Sequence, residues 1–363
     1  MRRLVLVLPF LLLLPACSSK PTTPPVSAAP APAKTVLAPR GYPGLQPIPQ
    51  AAPLTGDFAK NAAAQRFIDK MVDIHGFDRR QLHDLLSRTE RLDWVIRLMD
   101  RQAPTYQGPS GPNGAWLRYR KKFITPDNVQ NGVAFWNQYE SALQRASQIY
   151  GVPPEIIVGI IGVETRWGRV MGKTRIIDAL ATLAFDYPRR ADYFAGELEQ
   201  FLLLARKEGD DPTALRGSYA GAMGYGQFMP TSFARYAVDF DNDGHVDLWD
   251  PQDAIGSVAN YFHQHGWING DGVAIPAIGQ APSLDTGFQT QYSIQALAAA
   301  GLRPQYPLGR HQSASLLRLD MGRNYQYWYG LPNFYVITRY NNSTHYAMAV
   351  WQLGDAVKRA RLQ

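Results

Sequence analysis

The run Pro154-Glu155-Ile156-Ile157-Val158-Gly159-Ile160-Ile161-Gly162-Val163-Glu164-Thr165-Arg166-Trp167-Gly168 sets the reading of this chain. Ile160, Ile161 and Glu164 follow Ile157 at offsets of three, four and seven, so a helix would carry all four on one face. A carboxylate on such a stripe is costly, because Glu is seldom buried without a partner. Desolvation disfavours its charged form and lifts its pKa, as a general acid near neutral pH requires. The plain alternative is a salt bridge from Glu164 to Arg166 or another arginine. The helix by itself does not separate the two.

Downstream, Arg216-Gly217-Ser218-Tyr219-Ala220-Gly221-Ala222-Met223-Gly224-Tyr225-Gly226-Gln227-Phe228-Met229-Pro230 holds four glycines within ten residues. It lacks the Lys-Ser/Thr of a phosphate-binding loop and no strand signal precedes it, which argues against a nucleotide site. Repeated glycine instead allows backbone to approach a ligand or another segment closely. A tight packing joint between helices is the simpler reading of the same residues.

A third segment, Asp239-Phe240-Asp241-Asn242-Asp243-Gly244-His245-Val246-Asp247-Leu248-Trp249-Asp250, follows the EF-hand template with Gly at position six. Asp239, Asp241 and Asp243 would offer side-chain oxygens and His245 its backbone carbonyl, a set suited to a hard cation such as Ca²⁺. Position twelve is Asp250 rather than Glu. Pro251 makes Asp250 an N-cap and Asp253 the third residue of the exiting helix. The loop is therefore expected to run to Asp253 as its closing ligand, in a structural role. A capped acidic turn without metal is the alternative. His263 and His265 read as surface or capping residues.

The chain has 363 residues, 45% hydrophobic and 18% charged, with nineteen Tyr and eight Trp, which places it among globular proteins of two or three domains. Met1-Arg2-Arg3 precedes an apolar run from Leu4 to Leu14, eleven residues long and ending in Leu14-Pro15-Ala16-Cys17. That run is too short to span a bilayer, which takes about 20 residues, and reads as a targeting signal. Cys17 is the only cysteine, so no disulfide partner exists for it in an oxidising compartment. The pattern resembles a bacterial lipobox, with Cys17 as the lipidated residue and Ser18-Ser19 favouring the outer membrane. Residues 18–56 are rich in Pro and Ala and form a tether reaching on the order of 100 Å in polyproline II. The net charge is +7, and loss of Arg2 and Arg3 would lower it to +5, a mild excess suited to an anionic polymer. No basic block argues for nucleic acid.

Glu164 at the end of its apolar helix, then Gly-Ala-Met-Gly-Tyr-Gly-Gln-Phe-Met-Pro, then Tyr340-Asn341, resemble in order the lytic murein transglycosylases, a lysozyme-like family that cleaves peptidoglycan. The resemblance extends from Asp57 to the C-terminus. It implies Glu164 as the single catalytic acid/base, with Ser218 and Gln227 lining the cleft. Tyr340 and Asn341 would orient the acid and the muramyl unit, Tyr119, Tyr261 and Tyr346 would be cleft aromatics, and Arg189 and Arg190 would face peptide-stem carboxylates. It also implies an enzyme whose chemistry requires no cofactor, Ca²⁺ being structural. Ordinary glycosidases use two carboxylates about 5–9.5 Å apart. No second acid stands out in the segments that match the cleft, so the substrate would supply its own nucleophile and 1,6-anhydromuramyl ends would form. A hydrolytic muramidase on the same fold and a non-catalytic peptidoglycan-binding lipoprotein are the competing readings.

The expected fold is mainly α (α+β). A lipoprotein signal peptide (1–17) and the tether (18–56) precede a helical domain (57–146). A lysozyme-like core (147–267) carrying the EF-hand-like loop (239–253) comes next, followed by a small β-rich domain (268–338) and a C-terminal helix completing the core (339–363). Ser313–Leu319, Tyr325–Tyr329 and Phe334–Thr338 are the expected strands. Expected partners are peptidoglycan glycan strands, the lipid anchor in the outer membrane and cell-wall synthesis proteins. The chain is read as a monomer in the periplasm.

Overall fold

The computed structural model describes residues 53–102, 111–279 and 283–363, and the signal segment, Cys17 and nearly all of the tether lie outside them. The N-terminal region is helical: α1 (Ala62–His75), α2 (Arg79–Ser87), α3 (Asp93–Gln102), α4 (Ala115–Arg120), α5 (Pro126–Gln138) and α6 (Glu140–Tyr150). The core contributes α7 (Pro154–Thr165), β1 (Thr174–Arg175), α8 (Ile176–Asp186), α9 (Ala191–Glu208), β2 (Arg216–Gly217), α10 (Pro230–Tyr236) and α11 (Pro251–Gln264). The β-rich part holds β3 (Ala274–Ile278), β4 (Tyr292–Ser293), α12 (Ile294–Ala299), β5 (Arg303–Pro304), β6 (Ser313–Asp320) and β7 (Tyr325–Gly330). Two helices close the chain, α13 (Pro332–Tyr340) and α14 (Thr344–Arg361).

Local chemistry sets these boundaries. Pro126, Pro154, Pro230, Pro251 and Pro332 each stand in the first turn of a helix, where a missing N–H costs nothing. Asn61, Asp78, Thr125, Asp250, Ser293 and Ser343 cap first-turn amides with their side-chain oxygens. β3–β7 form one antiparallel five-stranded sheet in the order β4-β6-β7-β3-β5. That sheet has its own small core of Leu297, Leu302, Leu316, Tyr327, Tyr329 and Leu331, separate from the main helical core.

One helix pair governs the site. α7 is buried from Ile156 through Thr165 on every side, rather than on the single stripe its spacing suggested. α14 packs antiparallel against it. A Cβ on Gly159 would stand 2.4 Å from Val350 O, and one on Gly354 would stand 2.0 Å from Glu155 O. Only glycine permits backbone contact at both points. The same alignment carries Tyr346 to Glu164 at the far end of the pair.

The strand expected over Phe334–Thr338 is instead the middle of α13. Its β-branched and aromatic residues fit a helix because Phe334, Ile337, Thr338 and Asn341 recur at helical spacing and are all buried. The strands expected at Ser313–Leu319 and Tyr325–Tyr329 are present as β6 and β7. Among the described residues no single helix is long and apolar enough to cross a membrane.

Candidate active site

Four acidic side chains are buried among the described residues: Glu164, Asp178, Glu197 and Asp253. Three of them are held by backbone amides. Asp178 accepts from Glu90 N, Glu197 from Thr231 N, and Asp253 from the amides of Phe240, Asp241 and Asp247. Glu164, 9% exposed, instead takes a 2.5 Å hydrogen bond donated by the Tyr346 hydroxyl to Oε1. No arginine pairs with it among the described residues. Arg166 serves as the left-handed C-cap of α7, its amide bonded to Gly162 O.

The environment of Glu164 fixes its protonation. Burial is the dominant influence and pushes the carboxyl up to about 8, while the hydrogen bond from Tyr346 opposes it more weakly. Tyr346 is itself fully buried, with its phenol pushed well above 10, so it stays a donor throughout the neutral range. Tyr340 stacks on Tyr346 at 6.5 Å with 12° between the rings and donates to Gly226 O over 2.6 Å. Burial and the neighbouring Glu164 both raise the Tyr340 phenol.

Around this pair the chain assembles a shell. Tyr261 meets Tyr340 edge-on at 4.8 Å and donates to Arg339 O over 2.6 Å. Asn341 is buried beside it, and its Oδ1 has no hydrogen-bond partner among the described residues. An acceptor in that state is costly unless a ligand or water satisfies it. Tyr119 lies within electrostatic range of Glu164, which together with burial raises its phenol. Trp116, Phe123 and His345 pack around the Tyr119 ring.

The Gly-rich segment comes to α7 through Thr165, whose hydroxyl donates to Ile161 O and Tyr225 O at 3.1 and 3.0 Å. Met223 and Phe228 exchange backbone bonds and close a turn over Tyr225–Gln227. Gln227 sits at φ 51, and its side-chain amide is held by Met171 O and Gly224 O. The Ser218 hydroxyl oxygen accepts from the amides of Ala220 and Ala222, so its proton remains free to donate elsewhere. Arg189 and Arg190 are not brought to Glu164 by any contact among the described residues. Arg189 is exposed, with Asp100 at 3.9 Å, while Arg190 lies over the rings of Tyr193 and Phe194.

Asp239, Asp241 and Asp253 place carboxylate oxygens within 4.8 Å of one another. Asp250 caps α11 through the amides of Gln252 and Asp253, as the Pro251 argument required. Asp243 is turned to the backbone instead, accepting from His245 N, while its own amide donates to Asp239 and Asp241. His245 is exposed. Three carboxylates with oxygen-only donors fit a hard divalent cation, and burial plus the nearby Asp241 charge raise the Asp253 carboxyl. The loop also buttresses the Gly-rich segment. Leu248 O accepts from Tyr225 N at 2.8 Å, and Trp249 Nε1 donates to Arg216 O at 3.2 Å.

Two contributors carried little signal in the sequence. Thr165 is the clasp between α7 and the Gly-rich turn, marked only by its place beside Glu164. Asp320, on β6, accepts from the amides of Asn113, Gly114, Ala115 and Gly322. It thereby fastens α4, and Tyr119 with it, to the sheet.

The Transglycosylase SLT domain model matches residues 59–355. Over 364 residues, spanning 100% of this chain and 99% of the relative, the sequence is 69% identical to membrane-bound lytic murein transglycosylase B of Escherichia coli strain K12. The E. coli lytic transglycosylase SLT35 in complex with bulgecin A is 74% identical and matches with a TM-score of 0.83, covering 85% of this chain and 97% of that one. The same E. coli enzyme in complex with calcium matches at 74% identity and a TM-score of 0.82, with 85% and 97% of the two chains covered. A lysozyme-like helical core, a buried acid facing a phenol and this kinship agree: the chain belongs to the Transglycosylase SLT family and is a lytic murein transglycosylase.

Proposed function

We propose that Glu164 is the sole acid/base of this enzyme and that it cleaves the β-1,4 bond between N-acetylmuramic acid and N-acetylglucosamine without water. The observation that carries this reading is the isolation of Glu164. It is buried, poised to keep its proton to about pH 8, and bonded to a phenol rather than to backbone amides or a cation. Tyr346 occupies Oε1 and leaves Oε2 to carry the proton.

In the first step Glu164 gives that proton to the glycosidic oxygen, and the C1–O bond breaks with its electron pair leaving on that oxygen. The N-acetyl carbonyl of the muramyl unit shares a lone pair with the electron-poor C1. The Glu164 carboxylate then takes the proton of the muramyl C6 hydroxyl as its oxygen attacks C1, and the acid is restored. The product ends in a 1,6-anhydromuramyl group. The free Oδ1 of Asn341 and the Ser218 hydroxyl proton are the polar groups available to orient the N-acetyl and hydroxyl substituents. Tyr119, Tyr261 and Gln227 shape the cleft walls around them. Arg189 and Arg190, on the exposed turn before α9, would meet peptide-stem carboxylates at its periphery.

Ca²⁺ would be held by Asp239, Asp241 and Asp253, in an EF-hand-like loop to which Asp243 and the His245 carbonyl also belong. It would neutralise the clustered carboxylates, and the calcium complex of E. coli SLT35 supports this assignment. Cleavage before Cys17 and lipidation of that residue would anchor the enzyme in the outer membrane, facing the periplasm. The tether would let the body reach the murein, and the membrane-bound relative supports that placement.

Digestion of sacculi in ¹⁸O-labelled water tests the water-free route. The expected product ends carry no label. Labelled reducing ends would establish a hydrolytic muramidase instead.

A further inference from the structure

A second cavity lies on the opposite side of α14 from Glu164. Its volume is about 330 Å³, and Tyr306, Trp328, Trp351, Gln352, Asp355 and Arg359 line it. Asp355 follows Tyr346 by nine residues, about two and a half helical turns, so the two project from opposite faces of the helix. The cavity is therefore separate from the catalytic cleft, bounded by α14 on one side and the five-stranded sheet on the other.

Its lining combines ring faces with planar polar groups. Trp328, on β7, meets Trp351 edge-on at 5.6 Å and 87°. Tyr306, just beyond β5, is 58% exposed and contributes its ring to the groove lining. Asp355 and Arg359 pair at 2.6 Å on the rim, and Gln352 is held by Arg120 Nε at 3.0 Å. Trp328 is only 8% exposed, yet its indole Nε1–H has no hydrogen-bond partner among the described residues.

From these features we infer that the groove between α14 and the sheet is a second saccharide site, taking an N-acetylhexosamine unit of a murein strand. A pyranose ring offers an apolar C–H face to aromatic rings and a rim of hydroxyls to Asp, Arg and Gln side chains. Its N-acetyl methyl group is an apolar patch suited to the Trp328 and Trp351 rings. The volume is at the lower end of small-ligand sites and suits one sugar unit rather than a strand. A glycan strand engaged both here and in the cleft would gain effective concentration at the catalytic acid. The inference rests on murein as the substrate and not on the chemistry assigned to Glu164.

The test uses the full ¹⁵N-labelled chain carrying Glu164→Gln, so that saccharide stays intact. N,N′,N″-Triacetylchitotriose is titrated in, and the Trp328 indole N–H resonance is followed, identified by its loss in Trp328→Phe. The expected result is a saturable shift of that resonance. Tyr306→Ala, a change at an exposed ring that leaves the core intact, should move its midpoint about five- to tenfold higher. It should also weaken retention on intact sacculi. A resonance that ignores the saccharide, or that shifts identically with and without the Tyr306 ring, overturns the proposal. So does one that responds only to an added Pro-rich peptide of residues 18–30, which would assign the groove to the tether. None of these outcomes depends on cleavage, so failure here leaves the assignment of Glu164 untouched.

Discussion

The hydroxyl of Tyr346 donates to Oε1 of Glu164 across 2.5 Å, joining residues 182 positions apart in sequence at the contact between α7 and α14. This bond restrains the carboxyl in orientation and also sets its proton affinity. Burial drives the pKa up and the phenol pulls it part of the way back.

Removing the phenol therefore has a signed consequence. Tyr346→Phe deletes the influence that lowers the Glu164 pKa, so the alkaline limb of the kcat profile should move above about 8. Loss of orientation should lower kcat by roughly 10- to 100-fold at pH 6. A pH–rate series on soluble glycan strands measures both. An alkaline limb that moves downward would contradict the assignment of the bond.

Glu164 also makes stability depend on pH. Its folded pKa of about 8 lies above the reference value of 4.5, so the folded state keeps a proton that the unfolded chain releases between these values. Unfolding free energy from this group falls as pH rises through that window, and the group is neutral in both states below it. Glu164→Gln should therefore raise Tm relative to the parent by roughly 5 °C at pH 8, and by little at pH 4.5. Calorimetry at the two pH values checks this, and an equal shift at both would count against a protonated acid in the groove.

The acidic loop should respond to calcium in the same kind of experiment. Asp239, Asp241 and Asp253 bring like charges within 4.8 Å, and a bound divalent cation would relieve them. At about 100 times Kd the ion contributes about 2.7 kcal/mol, so Tm should climb with calcium and fall with chelator. Asp241→Asn should blunt that response. Because Leu248 O holds Tyr225 N, chelation should also slow turnover. A calcium-independent Tm would make this segment a capped turn and no more.

Close approach of α7 and α14 gives a further test. Alanine is about 1 kcal/mol better than glycine inside a helix. At Gly159, however, a methyl group would sit 2.4 Å from Val350 O, and backbone cannot swing aside as a side chain can. Overpacking of this kind costs about 1–3 kcal/mol, so the clash prevails and Gly159→Ala should lower Tm. Activity should fall with it, as the helices part where Tyr346 meets Glu164. A more stable Gly159→Ala variant would show that the helix pair has room to spare.

Much of this arrangement was legible in the sequence for identifiable reasons. Glu164 stood out because a carboxylate in an apolar helix has few explanations, and Asp250 and Asp253 were separable because Pro251 fixes a helix start. The contact with Tyr346 was not legible, since nothing local in either segment sets the alignment of two helices. That alignment depends on Gly159 and Gly354 meeting opposing backbone. Residues 334–338 misled because β-branched and aromatic residues favour strands locally, whereas burial of Phe334 and Ile337 on one helical face decided the outcome. Asp320 was invisible for another reason: its four backbone donors come mostly from a loop some 200 residues earlier in the chain.

The most direct test of the central claim is mass analysis of the ends released from sacculi by the parent enzyme and by Glu164→Gln, side by side. The expected result is anhydromuramyl ends, one water lighter than reducing ends, from the parent and no release from the variant. Strand scission that survives Glu164→Gln, or hydrated ends from the parent, would contradict a single buried acid acting without water.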